Sequence, residues 1–139
     1  MNDQVIIRLQ EDIRTGAYTC VCYDETKRLY GMSGKRLRPL WDLSRKVSLQ
    51  DKYVGDKIIG KAAAMIIVAG GAKYAYAKLM SVSAQKEFEK YGVSFACEVT
   101  AQTIKNAAGD AMCPMEAAML KINDPQAAIQ KIDRMINGN

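Results

Sequence analysis

One stretch, KAAAMIIVAGGAKYAYAKLMSVSAQKEFEKYGVSFACEV at residues 61–99, constrains the fold more than any other. A nearly unbroken apolar segment stops at Gly70-Gly71, and a β-rich run, AKYAYAKLM, follows. Val82, Ala84, Phe88 and Tyr91 then recur at helical spacing up to Gly92, and Val93 to Val99 returns to strand character. The switch of period from 3.6 to 2 and back reads as helix, strand, helix, strand. Two strands joined by a crossover helix pair in parallel, so an α/β architecture is expected. The first helix is read from Asp56 to Ala69; being apolar after Lys61, it belongs in the core.

The remaining segments complete a sheet. Val5, Ile6, Leu9 and Ile13 share one face of a helix over residues 4–14, with Gly16 where a C-cap belongs. AYTCVCYD, the polar turn DETK and RLYGM read as a β-hairpin over 18–32. A short helix is expected over 37–45 with Pro39 in its first turn, then a loop over 46–55. Residues 102–107 read as a short edge strand, and 113–121 and 125–136 as two terminal helices. A leading hairpin followed by βαβ units implies a mixed sheet with helices on its faces. The 139 residues, 49% apolar and 25% charged, form a single domain over 1–139 with a core of its own.

Composition narrows the partners. The net charge of +5 is mild, and acids are interspersed with bases over most of the chain. The basic cluster Lys35, Arg36 and Arg38, with Arg45 and Lys46 nearby, reads as a solvated face, with contact to a phosphate or acidic partner as the alternative. No aromatic-plus-basic strand platform is present, so no nucleic acid is expected. The longest apolar run, Ala62 to Ala69, is far short of the ~20 residues of a membrane helix, and the N-terminus is not a signal peptide. No membrane association and a cytoplasmic location are expected. Four cysteines and no histidine argue against a metal site. Cys20 and Cys22, at i and i+2 of a strand, share one face and read as core. No metal and no cofactor are expected.

Two stretches suggest chemistry. GDKIIGKA at 55–62 misses the phosphate-loop pattern G-x-x-x-x-G-K-[ST] by one hydroxyl. The charged stretch before it makes a poor buried strand, and the residues between its glycines are not loop-like. The competing reading makes Asp56 a helix N-cap, with Lys57 and Lys61 at i and i+4 on one face. Two cations then crowd the positive end of a helix dipole, and Gly60 in the second turn adds a cost of ~1 kcal/mol. A compensating anion is the expectation, and Gly60 would let it approach the backbone. Lys61 could serve as proton donor or nucleophile if burial lowers its pKa. The second stretch is Asp110-Ala-Met-Cys113-Pro114-Met-Glu116. Pro114 and Glu116 fit the first and third positions of a helix, which leaves Cys113 at the cap. Cys113 is there a candidate nucleophile or ligand contact, or else a buried small apolar residue.

YTCV (18–21), RPL (38–40), GDKIIGKAAA (55–64), EKYGV (89–93) and MCPMEAAML (112–120) together resemble a prokaryotic domain-of-unknown-function family with a cytidine-deaminase-like fold. The resemblance covers nearly the whole chain. It implies a three-layer α/β/α sandwich with a mixed sheet of about five strands. Zinc deaminases carry H-x-E or C-x-E on the helix after the hairpin and P-C-x-x-C on the helix after the next strand. The matching places here are read as Asp56–Lys61 and Met80–Ala84, and neither holds a His or Cys. The resemblance thus implies the fold without zinc chemistry. It also implies a pocket where two helix N-termini converge, with Asp56, Lys57 and Lys61 on one side and Ser81 and Ser83 on the other. Cys113 in that pocket is a hypothesis, and a homodimer is possible by analogy.

The functional expectation is a protein that binds a nucleotide or other phosphorylated small molecule in a degenerate, zinc-free pocket. Lys61, Asp56 and Cys113 are its candidate catalytic groups. Lys57, Gly60, Ser81, Ser83 and Glu116 are its candidate ligand contacts. Whether it is an enzyme stays open. A non-catalytic regulatory or assembly module, working through a sheet edge or the Trp41 region, is the alternative. A redox sensor acting through Cys113 is a weaker one.

Overall fold

Asp24 accepts backbone N–H bonds from Thr26 and Lys27 at 2.7 and 2.8 Å, and this turn folds β1 (Cys20–Tyr23) back on β2 (Arg28–Met32). A computed structural model describes residues 1–138 of the chain. β3 (Tyr53–Ile59) lies antiparallel to the free side of β1. β4 (Tyr74–Ser81) and β5 (Ser94–Ala101) add in parallel, giving a mixed five-stranded sheet in the order β2-β1-β3-β4-β5.

Helices cover both faces. On one face, α1 (Asp3–Thr15) lays Val5, Leu9 and Ile13 against Val21, Tyr23, Tyr53, Tyr74 and Tyr76. Gly55 makes this close: a Cβ there would stand 2.8 Å from Leu9. On the other face lie α2 (Arg38–Lys46), α3 (Lys61–Ala69) and α4 (Val82–Tyr91), with α5 (Pro114–Met119) and α6 (Pro125–Asn137) packed onto α3. Every residue of α3 from Lys61 to Ile67 is buried, which is why its sequence is apolar all round. No helix among the described residues is long and apolar enough to cross a membrane.

Three expectations fail, each for a physical reason. The helix expected from Asp56 begins only at Lys61, and residues 53–59 are strand β3. Their pattern disguises them because β3 outruns its neighbour. Cys20 pairs with Asp56, and after one more bond, from the Lys57 N–H to the Thr19 carbonyl at 2.9 Å, only β4 flanks β3, leaving Lys57 and Ile58 exposed at the end of the hairpin. Asp56 is therefore mid-strand and caps no helix; the N-cap of α3 is Gly60. Residues 102–107 form no edge strand; a single bridge, Lys105 to Met112, ties the base of a long loop.

Candidate functional site

A cavity of about 380 Å³ opens at the carboxyl end of β3, where the parallel half of the sheet meets the antiparallel hairpin. Its walls come from the loop into α2 (Lys35, Arg36, Leu37), the overhang of β3, the start of α3 and the loop after β5 (Ile104, Lys105, Asn106). The start of α5 supplies Cys113, Met115 and Glu116. In open α/β sheets, crevices outside strand carboxyl ends are the usual ligand positions.

The anion expected at the start of α3 is part of the chain. Glu116 accepts the Lys61 N–H at 2.5 Å through Oε1 and the Ala62 N–H at 3.0 Å through Oε2. A carboxylate 55 positions away thus does what a side-chain N-cap would do, satisfying two orphan donors at the positive end of the helix. Gly60 is glycine because of this: a Cβ would overlap the Glu116 carboxylate and stand 2.8 Å from Ile104. Burial pushes the Glu116 carboxyl up, while the two N–H donors and the Lys61 charge pull it back.

Asp56 forms the other acidic wall. It is 4% exposed and accepts the Lys57 N–H at 2.8 Å. Burial drives its carboxyl well above the usual range, against the pull of the Lys57 and Ile58 N–H groups. Across the strand pair, the Cys20 thiol is pushed far up by burial with the Asp56 charge adding, and Cys22 is pushed up to about 11, chiefly by burial. Both stay neutral thiols and belong to the core.

Cations crowd the mouth. Lys35, Arg36, Lys57 and Lys105 are exposed and border the cavity. None of the four is in an ion pair among the described residues. Arg36 adopts a left-handed backbone conformation, φ +59°, which costs a non-glycine residue on the order of 1 kcal/mol or more. Its Nη1 lies 3.9 Å from Cys113 Sγ. The rest of the basic cluster is spoken for: Arg38 pairs with Asp42, Arg45 stacks 4.0 Å over Trp41, and Lys46 lies over Tyr30. Trp41 itself is only 5% exposed.

The cavity therefore gathers Asp56, Lys57, Gly60, Cys113 and Glu116. It does not gather Lys61, Ser81 or Ser83. Lys61 and Lys57 fall on different elements, and Lys61 is buried and does not line the cavity. Ser81 is the N-cap of α4, accepting the Ala84 N–H at 3.1 Å, and Ser83 bonds to Ser81. The N-termini that flank the cavity are those of α2, α3 and α5, and that of α4, which the sequence spacing implied, does not. Arg36 was legible only as part of a basic cluster, and the 102–113 loop escaped sequence reasoning; the signal that could have found the loop was a long connection without regular structure.

The TM1506 family model, a domain of unknown function (DUF1893), matches residues 8–136. The chain belongs to the DUF1893 family. A DUF1893 family protein of Thermotoga maritima has the same fold: TM-score 0.88, with 95% of this chain and 90% of that one covered. At 22% identity the likeness is one of fold. No curated protein matches this DUF1893 chain.

Proposed function

We propose that the cavity at the carboxyl end of β3 binds a nucleotide or similar phosphorylated small molecule. The observation that carries this reading is polarity by depth. Two buried carboxyl groups, Asp56 and Glu116, stand inside, and four basic side chains without an ion pair among the described residues stand at the mouth. A heterocycle bearing amino or amide groups suits the interior, where the Asp56 and Glu116 carboxyl groups line the wall. A phosphate suits the mouth, where the cations remain solvated until it arrives.

A cytidine-deaminase-like reading of the fold is supported by the element order. The helix after the hairpin is α2 and the helix after the next strand is α3; both start at this cavity. Zinc does not fit. The chain there reads Leu37-Arg38-Pro39 and Ile59-Gly60-Lys61-Ala62, without His or Cys. Among the described residues no group of three or more His, Cys, Asp or Glu could hold a metal ion. Glu116 is committed to two backbone donors.

Cys113 provides a readout that works for a ligand of any structure that fills the cavity. It lines the wall and touches Arg36. A panel of nucleoside mono- and diphosphates and sugar phosphates is expected to raise the melting temperature and to slow alkylation of Cys113. Both effects should weaken in Arg36→Ala. A panel that changes neither quantity overturns the reading.

A further inference from the structure

The cavity has a second, larger neighbour. Hollows of about 380 and about 700 Å³ share the wall residues Lys35, Arg36, Leu37, Asn106, Cys113 and Met115. Arg36 reaches toward Cys113 on this shared wall, its Nη1 3.9 Å from Cys113 Sγ. The shared wall, where the two hollows adjoin, is the throat. The two ends differ in chemistry. The inner end holds Asp56 and Glu116. The outer end is bordered by Pro114, Met135 and Ile136, and Met135 remains 41% exposed there. Arg38 also borders the outer hollow but is tied to Asp42 at 2.9 Å. The cations open to a ligand are thus at the throat, not at the outer end.

We infer that the ligand is three-part: a polar head inside, a phosphate at the throat, and an apolar substituent on that phosphate lying over Leu37, Pro114 and Met135. This rests on the function proposed above and narrows it. The ligand class is a phosphodiester or pyrophosphate conjugate of a nucleotide with an apolar arm, not a free monophosphate. The order of the parts follows from continuity with the inner cavity and from charge complementarity. Lys35 and Arg36 meet the phosphate where both hollows meet. Beyond them, apolar surface gains by covering an apolar chain.

The test is calorimetric titration of AMP and CMP against their octyl phosphodiesters, with the wild-type chain and with Met135→Asp. The octyl esters are expected to bind roughly 30-fold tighter, a gain reached by burying only a few methylenes. Met135→Asp should remove most of that gain, with its affinity for the unesterified nucleotides reporting on the inner cavity. Pro114→Glu, at an exposed position, serves as the second variant. Nucleotide binding with no gain from the octyl chain overturns this inference alone, as does a gain that both variants retain. Binding of neither form overturns this inference and the proposed function together.

Discussion

Of the helix N-termini at the cavity, those of α2 and α3 are treated in opposite ways. That of α3 is buried and closed: Gly60 clears the space, and Glu116 accepts its first two N–H groups. That of α2 is open. Leu37 offers no side-chain cap, the first turn holds no acid, and Lys35 and Arg36 stand beside it unpaired among the described residues. The difference teaches that a positive helix end is no guide to a ligand until its internal partners are counted. The α3 end has been used for architecture, tying α5 to the sheet. The α2 end meets no such internal anion among the described residues.

The sharpest way to break this contrast is to remove the internal anion. Glu116→Ala should cost about 3 kcal/mol, since two buried donors lose a charged acceptor, and lower the melting temperature by roughly 10 °C. Gly60→Ala should cost about 2–3 kcal/mol, because its Cβ displaces Glu116 and Ile104. The double variant should cost clearly less than the sum in chemical denaturation, as both changes break one contact. Full additivity would deny the coupling between Gly60 and Glu116.

On the open side the signature is reversed. Arg36→Ala and Lys57→Ala remove exposed side chains and should change stability by under ~0.5 kcal/mol. Each should weaken phosphorylated ligands by about tenfold, as expected for loss of a charge-assisted contact. Ser81→Ala separates the third helix start from both. It should cost ~1 kcal/mol through its lost cap and leave ligand affinity unchanged. A change in affinity would restore α4 to the site.

The smallest effect is a slope. Burial holds the proton of Asp56 more tightly in the folded chain than in the unfolded one. Its contribution is therefore fully present below the ordinary carboxylate value of about 4 and is lost as pH rises through the higher folded value. Glu116 is shifted in the same direction. Stability measured from pH 4 upward should fall more steeply in the wild type than in Asp56→Asn, which should be the more stable protein at pH 8. A steeper fall in the variant would mean that Asp56 is stabilised as an anion.

The helices and strands that keep one period throughout were legible, because hydrophobic spacing is a local property. The 61–99 run and α1 gave their elements away through glycine stops and apolar faces. β3 did not, because its period breaks where β1 ends and Lys57 and Ile58 emerge into the open. That single misreading moved the helix start by five residues, put Lys57 and Lys61 on one face, and shifted the expected pocket from α2–α3 to α3–α4. Glu116 was legible as a residue of a helix start. That it would accept N–H bonds from α3 was not, since nothing local links positions 61 and 116.

By itself, then, the sequence determined the α/β class, the family and most of the helices and strands, which depend on spacing and motif, but not β3 or the irregular 102–107 stretch. The anion it led us to expect rested on a helix start at Asp56, whereas α3 begins at Lys61 and meets the Glu116 carboxylate there. Which anion, and which cations were left over, was decided only when the chain closed on itself. Charges find partners by distance in space, and Coulomb attraction between groups far apart in sequence leaves no trace in local pattern.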